Sequence, residues 1–120
     1  MLLTLDDADV RPLYQQIASA IRGAVARGEL QPQARLPSGR DLAESSGVTL
    51  ETVQRAYKTL VDEGVLVSRV GRGTSVAQKV DVDALSLHAE ARTLVDRARQ
   101  LGLTLDQVHT AVADEWAAVG

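Results

Sequence analysis

The chain has 120 residues and a formal net charge of −3, with 45% hydrophobic residues, 24% charged residues and no cysteine. That length holds one domain, or one small domain with an appendage, and the lack of thiols excludes a disulfide framework and thiolate metal sites and fits a reducing compartment. No apolar run approaches the roughly 20 residues needed to span a bilayer, and the N-terminus lacks a basic-then-apolar leader, so a soluble cytoplasmic protein with no membrane partner is expected.

The acidic total alone argues against a nucleic-acid partner, but the charge is unevenly spread. Residues 10–76 carry nine Lys and Arg against six Asp and Glu. Residues 77–120 carry four against seven, and Asp6, Asp7 and Asp9 form an acidic start that is expected to be a solvated arm. A modestly basic middle between acidic ends is compatible with DNA binding without establishing it. The aromatics are Tyr14, Tyr57 and Trp116, with no Phe, so the core must be aliphatic. A core of that kind and size gains from oligomerisation.

In chain order, Pro12 suits the first turn of a helix, and Leu13, Ile17, Ala20, Ile21 and Ala24 follow at helical spacing up to a stop at Gly28. "ELQPQARLP" (29–37) then reads as a connection. Ser38 can cap a short second helix through Glu44, with Leu42 and Ala43 turned inward, and Gly47 supplies the positive φ of a tight turn. Thr49 caps a third helix whose inward stripe is Val53, Ala56, Tyr57 and Leu60, ending near Gly64. "VLVSRV" and "TSVAQ" have β character, with "GRG" (71–73) as their turn. Helix, helix, tight turn, helix and hairpin is the order of a winged helix-turn-helix.

From about Asp81 the pattern is helical again. Leu87, Ala91, Leu94, Ala98 and Leu101 step by four and three, the spacing of a narrow coiled-coil-like seam. Gly102 breaks the helix, and "TLDQ" (104–107) has the form of a capping box. Leu105, Val108, Val112 and Val119 stripe a last helix, with Ala111 and Trp116 beside them. Such a hairpin is too small to stand alone, so pairing with a second copy is its expected use.

On the third helix, with Val53 at the centre of the buried face, 100° per residue puts Glu51, Arg55 and Lys58 near the opposite side and Gln54 and Thr52 on the flanks. A recognition helix enters a groove by its N-terminal end, which brings Thr49, Leu50, Glu51, Thr52, Gln54 and Arg55 nearest the bases or adjacent phosphates. Gln reads adenine, Arg reads guanine, and Glu can accept from a cytosine amino group. Glu51 also favours the positive end of its helix whatever it faces. Arg69 and Arg72 flank Gly71 in the wing, Gly73 frees the turn for close approach to a sugar-phosphate edge, and Thr74 could bond a phosphate. Arg35 and Ser38 are weaker phosphate-contact candidates.

The other polar residues assemble no chemistry. His88 and His109 lack the spacing of a metal pair and read as surface or packing histidines. Asp114 and Glu115 are adjacent, so they point to different parts of a helix, and "GRGT" lacks the lysine of a nucleotide loop. No catalytic site, metal or cofactor is expected.

"LPSGRDLAESSGVTLETVQRAYKTLVDEGVLVSRVGRGTSV" (36–76), extended back to "PLYQQIASAIRGAVARGEL" (12–30), resembles the winged-helix domain of GntR-family transcriptional regulators. The short tail with "ARQLGLTLDQV" is similar to that of the YtrA subfamily, in which it serves dimerisation. The resemblance implies a mainly α fold: a winged helix-turn-helix domain with a two-stranded β wing over 1–78, then an α-helical hairpin for dimerisation over 79–120. It implies a homodimeric regulator, most simply a repressor, on a palindromic operator in double-stranded DNA. It also implies a DNA contact at Arg40. Any small-molecule effector is unidentified. Against the family pattern, Gly39 stands where Glu or Val is usual and Gln33 where Gly is common. Leu50 and Glu51 replace the frequent Arg-Thr or Pro-Asn, which bears on the operator, not on the fold. The alternatives are a winged-helix protein-interaction adapter and the regulatory head of a larger pyridoxal-phosphate enzyme.

Overall fold

A computed structural model describes Leu5 and residues 8–119; Asp6 and Asp7 of the acidic start lie outside the described residues. Five helices and one hairpin follow in the order α1 (Leu13–Ala26), α2 (Gly39–Ser46), α3 (Leu50–Asp62), β1 (Leu66–Arg69), β2 (Gly73–Val76), α4 (Val82–Gln100) and α5 (Leu105–Val119). The mainly helical fold with a two-stranded antiparallel wing agrees with the sequence reading. The chain divides into two compact units, residues 1–86 and 87–120.

The first unit is organised by α3. Ile17 and Ile21 of α1, Leu42 of α2, Val53 and Leu60 of α3, and Leu66 and Val76 of the wing are its largest fully buried side chains. Tyr57 is the aromatic buried among them, and Val80 and Leu85 pack against the same core. Arg22 of α1 and Glu63 at the end of α3 form an ion pair that fastens the two helices outside the core.

Local chemistry sets the helix ends. Pro12 precedes α1 as its N-cap, so α1 begins one residue later than a proline in the first turn would place it. The Ser38 hydroxyl accepts from the Asp41 N–H and starts α2, which runs to Ser46, two residues beyond the expected Glu44. Gly47 then adopts φ +70° and its N–H donates to the Ala43 carbonyl, a left-handed cap that turns the chain sharply into α3. Thr49 caps α3 by accepting from the Thr52 N–H. In the second unit Gly102 (φ +71°) ends the α4 segment. Thr104 and Gln107 form the expected reciprocal box, each accepting from the other's backbone N–H.

Two segments differ from their sequence reading. "ELQPQARLP" is more than a connection: Gln33 and Leu36 donate to Val76 and Thr74, Val76 donates back to Ala34, and Arg35 pairs with Ser75. Residues 33–36 thereby cover the outer edge of β2, a pairing that no local pattern announces. Asp9, the one described residue of the acidic start's three aspartates, is not simply part of a solvated arm either. Asp9 pairs with Arg11 at 2.6 Å with both side chains largely shielded, and Arg11 also reaches the Ser19 hydroxyl. The Arg11 backbone N–H, helped by its guanidinium, holds the Asp9 carboxyl below its ordinary range.

Gln33 has φ +69°, the one positive φ at a non-glycine among the described residues. With Pro32 before it and Ala34 donating to Gln31, it occupies the third position of a tight turn that calls for glycine. The left-handed conformation costs a residue with a β-carbon about 1 kcal/mol, partly offset by the greater freedom of glycine in the unfolded chain. Gln33→Gly is therefore expected to stabilise the protein by about 0.5 kcal/mol, read as a rise in melting temperature with unchanged DNA affinity. A fall in melting temperature would contradict it.

Candidate nucleic-acid interface

The start of α2, the flank of α3 and the wing strands meet around one open cleft of about 590 Å³. Arg40, Gln54, Lys58, Ser68 and Thr74 line it, together with Gly39 and Leu50. Two helices and the wing thus present polar and cationic groups to one space. Tyr57 forms its floor: the hydroxyl donates to the Pro37 carbonyl at 2.7 Å and ties α3 to the loop before α2. Burial pushes the Tyr57 phenol up to about 12, so it remains a protonated donor at neutral pH.

The exposed ridge of α3 carries Glu51, Gln54, Arg55 and Lys58, as helical geometry requires once Val53, Ala56, Tyr57 and Leu60 are buried. Arg55 does not simply extend into solvent. Its guanidinium carbon lies 3.9 Å from the centre of the Tyr14 ring, a cation–π stack that fixes its direction. The sequence marks Tyr14 only as one of three aromatics, and the contact between two helices has no signal in the local sequence. Lys58 is exposed and paired with Asp62 at 3.1 Å, an i,i+4 contact weak enough to exchange for a phosphate. Glu51 is exposed in the first turn of α3, where a carboxylate favours the helix dipole.

Several candidate contacts have their polar groups engaged within the fold. The Ser38 and Thr49 hydroxyls serve as caps, and Thr52 shares a 2.8 Å hydrogen bond with Thr49. Leu50 is half-buried and packs against the core from the edge of the cleft. Arg35 donates to the Arg72 carbonyl at 2.7 Å, and a β-carbon on Gly73 would lie 3.5 Å from its guanidinium. This arginine braces the wing turn from behind.

The wing itself is short. Leu66, Val67, Ser68 and Arg69 pair with Val76, Ser75, Thr74 and Gly73, so Gly73 opens β2 and does not sit in the turn, which spans Arg69 to Arg72. Gly71 and Gly73 have φ of +76° and +78°, which only glycine adopts without strain. Arg69 and Arg72 are exposed on either side of Val70, whose side chain is fully exposed at the tip. An apolar tip between two arginines was not singled out from sequence; a valine inside a β-type run reads as a strand residue.

In the second unit the seam residues Leu87, Ala91, Leu94 and Leu101 of α4 and its following turn are exposed, as are Leu105, Val112 and Trp116 of α5, with Val108 half-buried. Ala98 differs: it is buried, and its carbonyl accepts from the Leu103 N–H. Leu94, Ala111, Val112, Glu115, Trp116 and Val119 border an open, mostly apolar gap of about 640 Å³ between the two helices. His88 and His109 are exposed, and the described residues hold no group of three or more His, Cys, Asp or Glu arranged to bind a metal. No helix among them is long and apolar enough to cross a membrane.

Residues 13–76 match the model of the bacterial regulatory proteins of the gntR family. The chain is 37% identical over 102 residues to the HTH-type transcriptional regulator Rv1152 of Mycobacterium tuberculosis, covering 85% of this chain and 84% of that protein. Among solved structures it is similar to YtrA from Sulfolobus acidocaldarius, a GntR-family transcription factor, at 36% identity and a TM-score of 0.63, covering 83% of this chain and 99% of that one. AraR(DBD) in complex with operator ORE1 aligns at 30% identity and a TM-score of 0.55, covering 64% of this chain and 94% of that one.

Proposed function

The chain belongs to the gntR family of bacterial regulatory proteins, and on that premise we propose that it is a DNA-binding transcriptional regulator acting as a homodimer on an inverted-repeat operator. The observation that carries the reading is the single cleft where Arg40 of α2, Gln54 and Lys58 of α3, and Thr74 of the wing converge. In this reading α3 enters the major groove by its first turn, with Glu51, Gln54 and Arg55 facing base edges. Arg40 and Lys58 take phosphates, and Arg69 and Arg72 carry the wing along the neighbouring backbone, with Thr74 at its base. Arg55, held over Tyr14, reaches the groove already oriented. Ser38 and Thr49 act as caps, Thr52 acts through its hydrogen bond to the Thr49 hydroxyl, and Arg35 acts by bracing the wing turn.

The tail supplies the second half of the proposal. Its exposed apolar residues are what a second copy would cover, and two-fold pairing of winged heads calls for a palindromic site. A dimer seated on promoter DNA acts most simply as a repressor, by occupying sequence that the polymerase needs. A cytoplasmic location follows from a DNA partner, and nothing in the proposed mechanism requires catalysis.

Arg40→Ala is the direct test. Its affinity for a duplex selected by the purified protein should fall about ten-fold, within the range of one lost contact to DNA. The slope of log affinity against log salt should become shallower by about one unit if Arg40 neutralises a phosphate. A protein-interaction adapter built on this fold would bind that duplex no better than random DNA, with or without Arg40.

A further inference from the structure

Gly39 at the start of α2 and Leu50 at the start of α3 meet at the edge of the cleft. A β-carbon on Gly39 would lie 3.0 Å from Leu50 Cδ1 and 3.9 Å from Gln54 Cγ. The missing side chain on α2 is therefore a seat, and the residues at positions i and i+4 of α3 lean on it together. Leu50 is half-buried there, with its remaining surface bordering the cleft, while Gln54 stays exposed. A β-carbon at position 39 would oblige the end of the leucine side chain to give way by a few tenths of an ångström, and the branches of a larger residue would crowd it further.

The chemistry of such a pair is selective. A leucine in the first turn of a groove-entering helix has no donor or acceptor to offer. Against most base edges it would strip water from polar atoms and return nothing. The favourable apolar group in the major groove is the C5 methyl of thymine. The neighbouring glutamine amide suits adenine, whose N7 and N6 it can engage in a bidentate manner. An A·T pair displays both features side by side.

We propose that Leu50 and Gln54, seated together over Gly39, read an A·T pair in each half-site, Gln54 on the adenine edge and Leu50 against a thymine methyl. The inference rests on the DNA-binding reading above and sharpens it from a binding face to a base preference. It also assigns Gly39 a positioning role, because its lack of a β-carbon sets where Leu50 lies.

The experiment uses the full chain and duplexes that it selects from a random library. Each thymine of the selected sequence is replaced singly by deoxyuridine, which removes the methyl alone, and affinity is measured by fluorescence anisotropy. One thymine per half-site should weaken binding about four-fold when its methyl is removed, the effect of one buried methyl group. That sensitivity should vanish in Leu50→Ala and in Gly39→Val, the second of which keeps the leucine and takes its seat. The arm with modified DNA uses the unaltered protein, so misfolding of a variant cannot obscure the answer. Indifference to deoxyuridine at every position, with sequence preference intact, overturns the A·T reader and leaves the DNA-binding reading standing. A sensitivity that persists in Leu50→Ala overturns it equally. No sequence preference at all overturns both.

Discussion

Trp116→Asp is expected to yield a monomer in sedimentation experiments and to weaken binding to a two-half-site operator by about 100-fold, while binding to an isolated half-site changes little. The indole is 83% exposed in the single chain. Leu94 of α4 and Val112 and Val119 of α5, each itself substantially exposed, border the same apolar gap. Contiguous apolar surface of this kind, on helices of which Ala98 alone is buried among the described residues, calls for a partner surface. A second copy inserting its own stripe would bury roughly 200 Å² of each tryptophan, making it the natural anchor of the contact. A carboxylate in its place would be desolvated without a partner charge, since among the residues bordering the gap the one ionisable side chain is another acid, Glu115. The loss in operator affinity then follows without any change at the DNA. Two tethered heads bind the second half-site at the high effective concentration that tethering creates, and a monomer forfeits that gain. A variant that remains dimeric at micromolar concentration, with unaltered operator affinity, would remove the tail from the dimer interface.

What could be read in advance divides along physical lines. The caps at Ser38, Thr49 and Thr104, the turn at Gly47 and the buried stripe of Val53, Ala56, Tyr57 and Leu60 were legible because each is decided within one or two helical turns. The tail seam was legible as a period, but its period could not tell that Ala98 is buried while Leu87, Ala91, Leu94 and Leu101 are exposed. Contacts between distant segments were hidden. The pairing of residues 33–36 with β2, the stack of Arg55 on Tyr14, the brace from Arg35 to the Arg72 carbonyl and the seat of Leu50 over Gly39 all join elements whose approach depends on the whole core. Within the candidate interface, the sequence therefore identified the groups that face outward more readily than those that hold them in place. Thr52 illustrates that asymmetry: its position on the flank of α3 was legible, but the hydrogen bond that engages its hydroxyl with that of Thr49 was not.

Leu60→Ala is expected to destabilise the protein by about 3 kcal/mol, the middle of the range for a leucine removed from a packed core. Leu60 is fully buried and belongs to the cluster formed by Ile17, Ile21, Val53 and Leu66, so it joins α1, α3 and the wing. There is little redundancy around it. The core contains no phenylalanine, its one buried aromatic is Tyr57, and that ring is already anchored through its hydroxyl to Pro37. Neighbouring side chains held by three separate elements cannot collapse far into the space that the lost isopropyl group leaves behind, so most of the cavity should persist. Against a total stability of about 5–15 kcal/mol for a small domain, such a loss should lower the melting temperature by about 15 °C. Leu60 lies on the opposite face of α3 from Glu51 and Arg55, which leaves the groups proposed to face DNA untouched. Operator duplex at 100 times its dissociation constant should therefore restore about 2.7 kcal/mol of the deficit, because it binds the folded form alone. The comparison separates scaffold from interface: a Leu60→Ala protein whose melting temperature fails to rise with operator would show that the cavity has distorted α3 as a reading element.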